Sequence, residues 1–171
     1  AVLVPYFQKR CKDTDKILKA MYVAAGIGQI IATRSSISGA AGGCQAEIGA
    51  ASSMAAGALV YLQGGDCTQI ANAADMAMKN LLGLVCDPVA GLVEVPCVKR
   101  NVIGTVNAMS AADMAMAGIT SRIPPDQVMD AMKEVGDKMD ASLRETALGG
   151  LAHTEEAMKI AGKMHSSHEN C

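Results

Sequence analysis

Apolar residues recur at three- and four-residue intervals through most of this chain, the spacing that lines one face of an α-helix. Asp13 reads as the N-cap of a helix from about Thr14 to Thr33. A serine- and glycine-rich stretch over 34–43 breaks it, closing on Gly42-Gly43. The pattern resumes at Cys44 or Gln45, runs to Leu62 and stops at Gly64-Gly65. Asp66 with Gln69 three residues later has the form of a capping box. The helix it opens carries Ile70, Ala73, Ala74, Ala77 and Leu81 on one face and is expected to end near Leu84.

From Cys86 to Cys97 the periodicity disappears. Pro88 and Pro96 would each break a helix, so this segment is expected to be an irregular loop. Further helices are expected from Val98 or Lys99 to Ala117, from Pro124-Pro125-Asp126 to about Met139, briefly over Ala141–Ala147, and over Thr154–Lys163. The closing stretch 164–171 reads as a polar tail. The expectation is an all-α fold: a single helical domain over 1–171, without repeats or linkers, whose irregular loops carry cysteines.

Composition sharpens this picture. Half of the 171 residues are hydrophobic, yet only 2% are aromatic and Trp is absent. Alanine and glycine let helices approach closely, and the 12 methionines fill irregular gaps, Met109, Met114 and Met116 among them. A β-sandwich would use more β-branched and aromatic residues. The net charge of −2, with no basic stripe and almost no rings to stack on bases, argues against nucleic-acid binding. No signal-peptide pattern opens the sequence, and the 12-residue apolar run Met21–Ala32 is too short to span a bilayer. A soluble, cytoplasmic protein is expected, with no membrane association.

Six cysteines, Cys11, Cys44, Cys67, Cys86, Cys97 and Cys171, are many for a reducing compartment. Three share a context. Cys44 follows Gly42-Gly43 and Cys97 follows Pro96, each where a helix begins and exposed N–H groups favour a thiolate. Cys86 opens the loop that Cys97 closes. The separations of 42 and 11 residues contain no CxxC pair, so common zinc and ferredoxin spacings are absent. On spacing alone, scattered buried thiols are the simpler reading. Cys11 and Cys67 read as ordinary thiols. Glu47 and Asp113, on otherwise apolar helices, read as salt-bridged or helix-end residues rather than catalytic ones. Lys99-Arg100 could pair with a carboxylate substrate or solvate a helix start.

Three segments carry a resemblance: ISGAAGGCQAEIGAASSMAAGAL (Ile37–Leu59), NLLGLVCDPVAGLVEVPCVKRN (Asn80–Asn101) and RETALGGLA (Arg144–Ala152). In order and spacing the chain resembles the α chain, or the equivalent domain, of bacterial iron–sulfur L-serine dehydratases. The resemblance implies a [4Fe–4S] cluster held by Cys44, Cys86 and Cys97, with Cys171 as a possible fourth ligand that folds back onto the open iron. It implies β-elimination of water from L-serine to pyruvate and ammonia, with the open iron as Lewis acid, and so a place in serine catabolism and gluconeogenesis.

Ser38, Gly39, Gly42 and Gly43 are then the candidates to bind the substrate carboxylate through backbone N–H groups. The general base is not identified by the sequence: His153 is a weak candidate, His165 and His168 lie in the expected tail, Lys99 ranks after them, and a base from a partner segment is favoured. Family members also carry a TxPTxGAAG-like segment upstream of the position of Ala1 and a domain with an SSSHT-like motif. Neither is in this sequence, so the chain is expected to be the C-terminal part of the α domain, inactive alone and completed by the missing N-terminal half and a β chain or domain in a homo- or hetero-oligomer. Related cysteine desulfidases, and a non-enzymatic helical metal-binding module, are the competing readings.

Overall fold

A computed structural model describes residues 8–168, with side chains over 8–164. Its helices are α1 (Thr14–Arg34), the single turn α2 (Gly39–Gly42), α3 (Ala50–Gln63), α4 (Cys67–Lys79), α5 (Cys97–Met116), α6 (Pro125–Lys138) and α7 (Glu155–His168). Among the described residues there is no sheet, only an isolated parallel bridge between Cys86 and Arg144. None of these helices is long and apolar enough to cross a membrane.

The expected boundaries rest on local chemistry that the structure displays. The Asp13 carboxylate accepts from the Lys16 amide at 3.1 Å and starts α1. At α4 the capping box is complete: the Gln69 amide donates to Asp66 Oδ1 at 2.8 Å, and the Asp66 amide donates to Gln69 Oε1 at 3.0 Å. Pro125 occupies the first turn of α6, where its missing N–H costs nothing. Gly64, at φ 87°, closes α3 in the left-handed region open to glycine.

Helix α3 lies at the centre, packed by α1, α4 and α5. One core cluster joins α3, α4 and α5 through Ala56, Leu59, Val60, Ala73, Met76, Ala77, Ala108, Ala111, Ala112 and Ala115, with Met109, Met114 and Met116 against it. The alanine content explains the close approach. Asn107 Nδ2 bridges α4 and α3 by donating to Ala77 O at 2.8 Å and Ser52 Oγ at 2.9 Å. A second cluster, Ile31, Ala50, Met78, Val128, Met129 and Met132, seats α6 against α1, α3 and α4. Asp113 is exposed near the end of α5. Asp75 is buried and paired with Lys79 at 2.9 Å; Lys79 also donates to Ser121, tying α4 to the α5–α6 connection.

Four local expectations are corrected. The helix expected from Cys44 or Gln45 begins as a π-turn over Gln45–Gly49, because the Gln45 amide is drawn to Leu84 O at 2.9 Å. Helix α4 stops at Lys79 rather than near Leu84; the chain turns through Gly83 at φ 84°, whose amide donates to Gln45 Oε1 at 2.9 Å. The expected helix over Ala141–Ala147 is only a 3-10 turn at Ala141–Leu143, since the following residues align with the Cys86 backbone. The last helix continues past Lys163 to His168.

Helix α6 touches α2 at a glycine pair. A Cβ on Gly136 would lie 2.9 Å from Gly42 Cα, a backbone atom that cannot swing aside. Gly136→Ala is therefore expected to push α6 off the turn that precedes Cys44 and to destabilise the protein by about 2 kcal/mol, read from the urea unfolding midpoint. Unchanged stability would show that the two backbones can separate at no cost.

Candidate metal centre

Cys44, Cys86 and Cys97 are 1%, 2% and 5% exposed, and all are free thiols. They come from three segments. Cys44 ends the glycine-rich approach to the π-turn, where it packs with Ile48 and Cys86. Its neighbour Gln45 is buried, donating from Nε2 to Met132 O at 2.9 Å while Oε1 accepts from Gly83. That amide holds the π-turn to α6 and to the turn leading to Cys86. Cys86 is fixed by its backbone: its amide donates to Leu143 O and its carbonyl accepts from the Glu145 amide, both at 2.8 Å. Cys97 is the first residue of α5, after the cis peptide Val95–Pro96.

The Cys86 and Cys44 sulfurs lie within 4.8 Å of one another. Glu47 completes a group with them: one carboxylate oxygen and the two sulfurs all lie within 4.8 Å of one another. Cys97 is outside that triangle, close enough for the charge of Cys44 to bear on it. Cys67, on the first turn of α4, is exposed and apart from the group, as expected for an ordinary thiol; Cys11 is partly exposed near Asp13.

Arg100, one turn along α5 from Cys97, points into the same region. Its Nη1 lies 2.7 Å from Asp87 Oδ1, 2.8 Å from Val85 O and 3.9 Å from Cys44 Sγ. The Asp87 and Arg100 side chains are 3% and 18% exposed. The second Asp87 oxygen accepts from the Leu151 amide at 2.8 Å, so the RETALGGLA segment closes over the loop. Arg100 thus has a buried protein partner in Asp87, while its neighbour Lys99 is exposed in the first turn of α5.

Burial decides the electrostatics. It pushes the Cys44 thiol up despite the stabilising contacts of Cys86 and Arg100. It pushes Cys86 far above the ordinary thiol range, with its hydrogen bond to Cys44 adding to the effect. Cys97 is raised by burial first and by the Cys44 charge second. The Glu47 carboxyl is also raised, by desolvation and then by the nearby Glu145 charge, partly offset by a hydrogen bond from the Gly39 amide.

Ser38 is exposed at the N-cap of α2, without a side-chain capping bond. The Gly42 and Gly43 amides donate within their own turn, to Ser38 O at 2.9 Å and Gly39 O at 2.8 Å, and the Gly39 amide faces Glu47. His153 is exposed at the end of a 3-10 turn, and among the described residues no hydrogen bond or ion pair joins it to the cysteines. The side chains of His165 and His168, and all of Cys171, lie outside the described residues. Sequence reasoning missed Asp87, named Arg100 only with Lys99 as a charge for a carboxylate substrate or a helix start, and read Glu47 as salt-bridged or at a helix end. Only Glu47 left a signal, a carboxylate three residues after Cys44 in an apolar run.

Three free, buried thiols at glycine- and proline-marked breaks define a candidate thiolate metal centre in an all-α domain. The chain belongs to the family described as serine dehydratase alpha chain, which it matches over residues 1–152. It is 56% identical over 150 residues to the probable L-serine dehydratase, alpha chain, of Bacillus subtilis (strain 168), covering 88% of this chain and 50% of that protein. It is 49% identical over 160 residues to the L-serine dehydratase, alpha chain, of Peptoniphilus asaccharolyticus, covering 94% and 55%. Over 154 residues it is 47% identical to the L-serine dehydratase TdcG of Escherichia coli (strain K12), covering 89% and 34%. The chain thus spans about half or less of the length of these three relatives. All three buried cysteines, Glu47, Asp87 and Arg100 fall in the matched region.

Two measurements test this electrostatic arrangement. Asp87→Ala leaves the buried guanidinium of Arg100 without its counter-charge, and is expected to cost about 3–5 kcal/mol in urea unfolding; a loss within that of a surface substitution would mean Arg100 re-solvates freely. The second concerns pH. A thiol whose folded pKa is raised stabilises the fold below its unfolded value of 9.0 and loses that contribution as pH rises above it. For the reduced, metal-free chain the unfolding midpoint should therefore fall between about pH 8 and about pH 10, and fall less steeply in Cys86→Ser. Equal slopes in the two proteins would assign the loss to other groups.

Proposed function

We propose that this chain is the cluster-binding part of an iron–sulfur L-serine dehydratase, which converts L-serine to pyruvate and ammonia, with Cys44, Cys86 and Cys97 as ligands of a [4Fe–4S] cluster. The observation that carries the reading is the set of three buried, free thiols brought from separate segments into one neighbourhood beside Arg100. The donor set fits the group: thiolates are the usual protein ligands of such clusters, and cluster charge and potential respond to nearby hydrogen-bond donors and burial. When bound, the cluster supplies a Lewis-acidic iron without a protein thiolate, which stabilises the departing hydroxide of serine.

The chain's own residues do the rest of the work assigned to them here. Ile48, Leu81 and Leu84 pack around Cys44 and Cys86 and keep bulk water from the sulfurs. Arg100 places a fixed positive charge near Cys44, while Asp87 holds Arg100 and the RETALGGLA segment in register. The α2 turn, with Ser38, Gly39, Gly42 and Gly43, is the proposed seat of the substrate carboxylate. Because the Gly42 and Gly43 amides are engaged within the turn and the Gly39 amide faces Glu47, the contribution of this turn to the substrate carboxylate is assigned first to the Ser38 hydroxyl. The α-proton is removed by a base from the partner segments, the rest of the α chain or a β chain, with which this chain assembles; His153 is far less suited by its exposure. Cys171 is proposed as the cap of the open iron.

Reconstituting the reduced chain with iron and sulfide under anaerobic conditions tests the assignment. About four irons and four labile sulfides per chain and a charge-transfer spectrum are expected, lost in Cys86→Ser and in Cys97→Ser but kept in Cys67→Ser. Retention of the spectrum in Cys97→Ser would overturn the three-cysteine reading. With the partner segments present, pyruvate release from serine rather than from cysteine separates a dehydratase from a desulfidase.

A further inference from the structure

The geometry points to a second, mononuclear use of this site: we propose that, without a cluster, Cys44, Cys86 and Glu47 bind one thiophilic divalent ion such as zinc, with Cys97 left out. The proposal concerns the same pocket as the cluster reading but depends on a different residue, so each can fail alone.

The donor set is the first argument. The two sulfurs and a Glu47 oxygen lie within 4.8 Å of one another. Tetrahedral zinc with such ligands separates them by about 3.5–3.8 Å, so shifts on the order of 1 Å would bring all three onto one ion, with a fourth position open to water. Two thiolates select a soft ion over magnesium or calcium. Cys97, set apart at the start of α5, is not a member of the group.

The second argument is how Glu47 is held there. It follows Cys44 by three residues in a π-turn, which directs its side chain back toward Cys86. Its carboxylate lies against the Gly39 backbone. A Cβ on Gly39 would lie 2.8 Å from Glu47 Oε2 and 3.2 Å from Cys86 Sγ, so the absence of a side chain at 39 is what lets carboxylate and thiol approach. Glu145 adds negative charge that bears on both Glu47 and Cys86. Among the described residues no lysine or arginine forms an ion pair with Glu47, and Arg100 pairs with Asp87 instead. A divalent cation offsets this charge. Binding releases the two thiol protons to solvent and changes no oxidation state. Because Cys44 and Cys86 are shared, one zinc ion and the cluster exclude each other, and zinc occupancy blocks cluster assembly.

Cobalt(II) chloride titrated into the reduced, metal-free full chain under anaerobic conditions is the test. Expected are thiolate-to-cobalt bands saturating at one equivalent and displaced by zinc. Affinity should fall at least about tenfold in Glu47→Gln and in Glu47→Ala, with both variants keeping the wild-type circular dichroism, while Cys97→Ser matches the wild type. No cobalt bands, unchanged affinity in a folded Glu47 variant, or loss of the bands in Cys97→Ser would overturn the proposal. Iron–sulfide reconstitution of the same variants keeps the readings apart, since the cluster requires Cys97 and is expected to form in Glu47→Gln.

Discussion

The arrangement around the cysteines depends on one buried carboxylate. A charge out of water must be paired and hydrogen-bonded or it destabilises the fold. Asp87 meets that demand with groups distant in sequence, Arg100 on α5 and the Leu151 amide in the segment that follows α6. Cys86 is the residue before Asp87, and Cys97 is one turn before Arg100, so satisfying the carboxylate sets both thiols. Arg100 also bonds Val85 O and approaches Cys44, which brings the third into the same frame. Gly150 has to be small and left-handed here: at φ 59° its missing Cβ would fall 2.5 Å from Asp87 Oδ2.

Polar side chains do the orienting, while alanine-rich packing sets the distances. Gln45 contributes two hydrogen bonds across three segments, each worth about 1 kcal/mol when formed and more if a partner is left buried and unmet. Its location beside Cys44 means that the turn preceding the thiol cannot shift without breaking both. Gly136 against Gly42 and Gly39 against Glu47 show the same economy at backbone level, where one added methyl would separate elements that must touch.

Helix edges were legible in the sequence wherever the capping group is local. Asp13, the Asp66–Gln69 box and Pro125 act within one turn, and the starts of their helices agree with expectation to within a residue or so. Legibility failed where a distant group decides. The Gln45–Gly49 segment reads as α-helix from its own residues; the bond from its first amide to Leu84 O is invisible until the chain is folded. The same holds for residues 141–147, which read as helical but follow the Cys86 backbone. At the site, the glycine and proline breaks singled out the cysteines, whereas Asp87 drew no reading and Arg100 was read as a charge for a substrate carboxylate or a helix start, not as the partner of Asp87. Their pairing spans two elements, and no periodicity encodes it.

The thiols themselves show which force governs the pocket. Arg100 and the contact with Cys86 both favour a Cys44 thiolate, yet burial outweighs them and pushes the thiol up. A fixed cation shared with Asp87 is too weak to hold three thiolates in a dry setting. Ionising them requires a charge at bonding distance from the sulfurs, which a metal supplies and a guanidinium at 3.9 Å does not. Deprotonation and metal binding are then one coupled event. The fold keeps the three thiols packed and pre-positioned, on loops already fixed by hydrogen bonds and close backbone contacts. Asp87, Gln45 and Gly39, none of them a sulfur donor, set that arrangement as much as the cysteines themselves do.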